Sequence, residues 1–284
     1  MNRFYQLGPV TLCMRNWPRD FRWPFALWRL DAYEVPETSY QLLAVYDPNF
    51  APEETGQWNL TESTVAAKRM ELRLPDGWLL WKQLQPDGGE LKFALAPDCD
   101  RVVLMKDTTQ TCGMAALEAI TFFIFPMLLR QNILTFHSVL LEHKGQGILV
   151  AAPSGVGKTT HARLWRDTRG VLILNGDRSP CYEENGQWFA FGTPWCGTSG
   201  ENINRKVPVK AMVLLQQDAQ NRMVPLQPLE LVNQLLGLAA CPLGWQEKVL
   251  DLLDGFLKTV PVVALACTPE PEAVEVLEAY LEKL

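Results

Sequence analysis

The run Gly147-Ile148-Leu149-Val150-Ala151 is an apolar β-type segment that passes without a break into Ala152-Pro153-Ser154-Gly155-Val156-Gly157-Lys158-Thr159-Thr160. No other stretch constrains the fold so tightly. A strand that feeds a glycine-rich turn ending in Gly-Lys-Thr calls for a helix directly behind the turn, because the backbone N–H groups of both must converge on one anion. The usual pattern opens with Gly where this chain has Ala152; the close approach to phosphate falls at Gly155 and Gly157, so the exchange is tolerated. On this reading Pro153, Ser154, Gly155, Val156, Gly157, Lys158, Thr159 and Thr160 cradle the phosphates of a nucleoside triphosphate. Lys158 reaches the β- and γ-phosphates as a point charge, and the Thr159 hydroxyl takes one place on Mg²⁺.

Composition narrows what else the chain can be. At 284 residues and 48% hydrophobic it can bury a sizeable core and hold two domains. A net charge of −6 argues against nucleic acid or an anionic membrane as partner, so any anion is held locally. The seven cysteines (Cys13, Cys99, Cys112, Cys181, Cys196, Cys241, Cys267) form no Cys-x-x-Cys pair, which fits reduced thiols and a cytoplasmic setting. The N-terminus lacks the basic and apolar regions of a signal peptide. The most apolar run, Ala115–Leu129, carries Glu118 and Pro126 and reads as a buried helix, too short to span a membrane.

Two halves differ in pattern. Residues 1–131 form a mainly β domain, a meander or sandwich, ending in that buried helix. Its β-type runs are Val10–Met14, Tyr40–Tyr46, Val65–Leu74, Trp78–Gln83, Leu91–Leu95 and Val102–Met105, with hairpin turns at Pro75-Asp76-Gly77 and Pro86-Asp87-Gly88-Gly89. Trp17, Trp23, Trp28, Trp78 and Trp81 read as core more than as a recognition surface. In residues 132–284 strands alternate with helices, the sign of an α/β layer with functional loops at strand ends. Strands are expected at Thr135–Glu142, Gly147–Ala151, Val171–Leu174, Trp188–Phe191, Ala211–Gln216 and Val262–Cys267, and helices at Lys158–Asp167, Glu230–Ala239, Gln246–Leu257 and Pro271–Lys283.

Phosphoryl transfer needs positioned phosphates, a divalent ion, a proton acceptor and positive charge. Val171–Leu174 runs into Asn175-Gly176-Asp177-Arg178, which puts the Asp177 carboxylate at a strand end as Mg²⁺ partner or general base. Asn-Gly-Asp is also good turn chemistry, so a plain turn aspartate stays open. His137, alone in an apolar strand, is on spacing a core residue as readily as a site residue. The stretch Phe191–Lys206, rich in Gly and polar residues, reads as a mobile active-site loop in which Glu201, Asn202 and Asn204 complete a metal or phosphate shell and Arg205 or Lys206 meets the γ-phosphate, with a plain long loop as the alternative.

Phe136-His137-Ser138-Val139-Leu140, the strand–turn–strand after it, Ala152–Thr160 and the Asp177 strand end together resemble the catalytic domain of the HPr kinase/phosphorylase family, itself similar to ATP-dependent phosphoenolpyruvate carboxykinase around the P-loop. The resemblance spans roughly residues 132–217. It implies a P-loop α/β fold of the HPr kinase/phosphoenolpyruvate carboxykinase type and a serine kinase using ATP and Mg²⁺. Asp177 would take the serine proton, His137 would act beside it, and Arg178 and Arg205 would attend the nucleotide. Two features depart from the family: a single aspartate stands where two adjacent ones are usual, and Thr160 replaces a glutamate. The acceptor implied is a serine of a peptide or small protein, or a serine-like metabolite; homo-oligomerisation is compatible with it. A carboxykinase-type reaction lacks the expected Arg and Lys cluster, whereas a non-catalytic nucleotide-binding module remains an alternative.

Overall fold

A computed structural model of the chain describes residues 2–17, 30–64, 67–110, 114–242 and 244–284. Of the positions named above, Trp23, Trp28, Val65 and Cys112 lie outside the described residues. The architecture is mixed α/β with two large sheets. The chain divides into two compact units, Met1–Phe25 with Tyr33–Gln131, and Ala26–Ala32 with Asn132–Leu284.

The first unit contains β1 (Asn2–Leu7), β2 (Val10–Arg15), β3 (Glu34–Val35), β4 (Leu42–Tyr46), β5 (Asn59–Ser63), β6 (Lys68–Arg73), β7 (Leu79–Leu84), β8 (Glu90–Leu95) and β9 (Arg101–Asp107); β2 and the middle of β9 are buried almost throughout, and β5 is exposed throughout. The two Pro-Asp-Gly turns close hairpins as expected: Gly77 N–H donates to Leu74 O at 3.0 Å and Gly88 N–H to Gln85 O at 3.1 Å. The meander β5 to β9 is real, but no sandwich forms. Instead β4 lies parallel between β2 and β9, extending one sheet to the order β3-β1-β2-β4-β9-β8-β7-β6-β5. The apolar run after the sheet is two helices, α1 (Met114–Ala119) and α2 (Thr121–Arg130). Trp81 is buried against Phe93 and Phe123, with ring centroids 5.8 Å apart in both pairs, so it anchors the core between sheet and α2. Among the described residues no helix is long and apolar enough to cross a membrane.

The second unit contains β10 (Leu134–His143), β11 (Gln146–Ala151), α3 (Lys158–Arg169), β12 (Leu172–Asn175), β13 (Arg178–Glu184), β14 (Gln187–Phe191), β15 (Lys206–Gln217), β16 (Arg222–Val224), α4 (Pro228–Leu238), α5 (Gln246–Thr259), β17 (Val262–Cys267) and α6 (Glu272–Leu281). Two strands are long enough to serve two neighbourhoods. β10 pairs with β13 through Leu134–His137 and with β12 through Leu140–Glu142, and β15 pairs with β14 near its start and with β11 and β17 beyond it. The pairings β11-β10-β13-β14-β15-β11 therefore close a ring. Trp165 of α3 and Val274, Leu277 and Leu281 of α6 are buried with Leu141, Val150 and Val213 in one core. Phe256 of α5 meets Phe136 at 5.2 Å and Trp188 at 5.1 Å in another.

Candidate functional site

Strand register assembles the site. Ser138 of β10 sits opposite Ala151, the last residue of β11, so the glycine loop leaves the sheet beside Ser138. On the other side of β10, His137 is opposite Arg178, and Ser138 N–H donates to Asp177 O at 3.0 Å. The root of the loop and the Asp177 strand end thus flank the same two residues.

The loop obeys its sequence. Gly155 (φ 81°) and Gly157 (φ 116°) occupy the left-handed region that Gly enters without strain, and nothing lies within 4 Å of where a Cβ would stand on either. Open space on that side is what an entering phosphate needs. Gly157 caps α3, which begins at Lys158 and ends with Gly170 in the left-handed conformation, its N–H bonded to Arg166 O. Lys158 is buried and turns back on the loop, its Nζ donating to Ala152 O at 2.8 Å and Pro153 O at 3.3 Å. Burial lowers its pKa, an effect that Arg178 reinforces and Asp177 opposes. Pro153, Ser154, Gly155 and Thr160 are exposed, and Val156, Gly157 and Thr159 are half-buried.

Asp177 sits between two basic side chains, with Oδ1 3.3 Å from His137 Nε2 and Oδ2 3.4 Å from Arg178 Nε. Burial pushes its carboxyl up, but the His137 hydrogen bond and the charges of Arg178 and Lys158 outweigh this and hold it below the usual carboxylate range. It is a carboxylate at neutral pH. Asp177, His137, Arg178 and Lys158 therefore form one electrostatic cluster.

The Phe191–Lys206 loop is hydrogen-bonded at several points. Ile203 N–H donates to Leu174 O, Gly192 N–H to Arg205 O, and Asn204 Nδ2 to Ala32 O. Gly197, at φ 62°, presses on Asp177 so closely that a Cβ there would stand 2.8 Å from Asp177 Cβ. Glu201 is held by Arg166 at 2.6 Å. Asn202 pairs through its backbone with Asn175 and donates from Nδ2 to Cys196 Sγ at 3.4 Å, beside the Asp177 turn. Arg205 pairs with Glu142 at 2.8 Å, and Glu142 is opposite Gly147 at the start of β11, the end remote from the glycine loop. The buried Cys196 thiol is pushed up by burial and stays protonated.

Sequence reasoning passed over Asn175. Its fully buried amide accepts from Asp177 N–H (3.0 Å) and Arg178 N–H (2.8 Å) and donates to Thr193 Oγ1 (3.0 Å), Thr193 O (3.1 Å) and Trp195 O (3.4 Å). The signal for it was an Asn closing an apolar strand, where an Asx side chain typically binds the backbone two residues on.

A mixed α/β unit in which a strand runs through a glycine loop into a helix, with a carboxylate near the root of that loop, is the class these observations define. The chain belongs to the family of the SynChlorMet cassette protein ScmC, whose model matches residues 101–268. Among solved structures it is similar to the Hpr(Ser) kinase/phosphatase from Coxiella burnetii, at 17% identity and a TM-score of 0.34, over 52% of this chain and 97% of that one. No curated protein matches the chain.

Proposed function

We propose that this protein is an ATP- and Mg²⁺-dependent phosphotransferase that moves the γ-phosphate to a serine hydroxyl of a peptide, small protein or serine-like metabolite. The observation that supports it most is the register: Ala151, where the glycine loop begins, and the Asp177–Arg178 strand end stand on either side of β10, whose His137 meets Asp177.

The chemistry follows from the groups present. The hydroxyl oxygen of the acceptor forms a bond to the γ-phosphorus while the bond from that phosphorus to the β–γ bridging oxygen breaks; the hydroxyl proton passes to the Asp177 carboxylate, and ADP leaves. The low proton affinity of Asp177 keeps it ready to accept. His137 orients Oδ1 from one side, and Arg178, on the other, offers positive charge to the transferring group. Lys158, released from the carbonyls of Ala152 and Pro153, meets the β- and γ-phosphates.

The donors fit Mg²⁺ in one particular way. Among the described residues no group of three or more His, Cys, Asp or Glu side chains could hold a metal by itself. Mg²⁺ commonly takes only one or two protein oxygens and completes its shell with phosphates and water, and Thr159 with Asp177 would supply those. Bound there, it would neutralise charge developing on the phosphates.

Titration calorimetry with ATP·Mg²⁺ tests the nucleotide half. Wild type should bind, and Lys158→Ala should lose at least tenfold in affinity. Equal affinity in the two would overturn the assignment, and binding without any turnover of ATP would leave a nucleotide-binding module in its place.

A further inference from the structure

We infer that Asn175 is a positioning residue for Asp177, fixing the carboxylate to the Thr193–Gly197 segment that packs on it. This rests on the phosphotransfer reading and deepens it, by naming what holds the proton acceptor in place.

The amide is used to capacity. An Asn side chain offers one oxygen with two lone pairs and two N–H donors. Here Oδ1 takes the N–H groups of Asp177 and Arg178, and Nδ2 shares its two hydrogens among Thr193 Oγ1, Thr193 O and Trp195 O. The orientation is unambiguous, because the first two partners can only donate and the backbone carbonyls of Thr193 and Trp195 can only accept. An apolar residue at this site would take the acceptor from the N–H groups of Asp177 and Arg178 and the amide donor from the carbonyls of Thr193 and Trp195, so Asn175 is not there for packing alone.

What it joins matters more than how well it is satisfied. The backbone on its oxygen side carries Asp177 and Arg178. The backbone on its nitrogen side leads within two residues of Trp195 to Gly197, where a Cβ would stand 2.8 Å from Asp177 Cβ, so only glycine leaves room for the Asp177 side chain. Asn175 also pairs by backbone with Asn202, on the far side of that turn. Asp177 is thereby gripped through its main chain and its side chain by two segments that one amide holds together. An acceptor carboxylate misplaced by even an ångström loses much of its effect, so this grip should read out in turnover more than in nucleotide binding.

Asn175→Asp separates the two sides of the amide. The variant keeps an oxygen for Asp177 and Arg178 N–H but, when ionised, sets a carboxylate against the carbonyls of Thr193 and Trp195; when protonated it regains one donor. Turnover of γ-labelled ATP by the full chain with Mg²⁺ should fall at least tenfold at pH 8, recover in part as the pH is lowered toward 5.5, and leave ATP affinity within about twofold. Thr193→Val, which removes the hydroxyl that accepts from Asn175 Nδ2 and donates to Trp195 O, should fold and lower turnover two- to fivefold, and covers the case in which Asn175→Asp does not fold. Wild-type turnover with a wild-type pH profile in Asn175→Asp, or unchanged turnover in Thr193→Val where the former does not fold, would overturn the inference. If Asp177→Asn itself kept full turnover, the phosphotransfer reading would fall instead, so the two failures are told apart.

Discussion

At the scale of single residues, function rests on side chains that are costly to bury. Lys158 is an ammonium in a largely buried position, held by two carbonyls of its own loop, and burial lowers its pKa. Hydrogen bonds from a charged group contribute about 1.5–3 kcal/mol each, but removing the group also removes the cost of burying a charge, and the two largely offset. Lys158→Ala should therefore leave the melting temperature without ligand within about 3 °C of wild type, given a few degrees per kcal/mol, even as nucleotide affinity collapses. Differential scanning calorimetry checks this; a large loss of stability would make Lys158 a structural residue. Lys158 and Asp177 were legible in the sequence because a motif and a strand end announce them. Asn175 was not, since its importance lies in partners from residues 193–195, far along the chain. For Arg205 and Glu201 the sequence likewise hid the charged partners they meet, Glu142 and Arg166, which are distant along the chain.

At the scale of elements, α3 and the loop around Gly192 carry the clearest consequences. His161, one turn into α3, is buried, takes a hydrogen bond from Trp165 Nε1 at 3.1 Å, and has no partner for Nδ1 among the described residues. Burial pushes its pKa down to about 4 from the ordinary 6.5. A histidine that folding makes less basic binds more protons unfolded, so its contribution is complete above about pH 6.5 and is lost as the pH falls toward 4. Between pH 7 and pH 5 the cost is roughly 2 kcal/mol. Urea midpoints at the two values should show this loss, and His161→Gln should reduce it; an equally steep decline in the variant would place the effect elsewhere. Gly192 is fixed by contact rather than by φ: a Cβ there would stand 2.0 Å from Ile203 O and 2.4 Å from Leu174 O. Both are backbone atoms, so Gly192→Ala should cost at least about 2 kcal/mol, visible as a lowered melting temperature. The element pattern itself was readable where periodicity was strong, as in α3, α5 and β11. It assigned no strand to β13 or to the first half of β15, where Pro180 and Pro208 sit in paired strands opposite Thr135 and Phe189.

For the whole molecule, the change of pattern near residue 131 coincides with where the second unit's main segment, Asn132–Leu284, begins, although Ala26–Ala32 also belongs to that unit and nothing in its composition says so. The parallel insertion of β4 was equally hidden, because pairing between β2, β4 and β9 is set by tertiary packing and no turn motif encodes it. ATP·Mg²⁺ at a hundred times its dissociation constant should stabilise the folded chain by about 2.7 kcal/mol. Hydrogen exchange should then slow most at residues 153–160, at His137–Ser138 and at 175–178, and least in the β5–β9 meander. Protection centred on the meander would relocate the nucleotide site. The account turns on Asp177 accepting a proton beside a bound nucleotide, and the most direct measurement is γ-phosphate loss from labelled ATP·Mg²⁺, with and without candidate serine peptides, by wild type and Asp177→Asn. The account predicts turnover by wild type, reduced at least about a hundredfold in the variant, with ATP affinity changed much less. Full turnover by Asp177→Asn would contradict it.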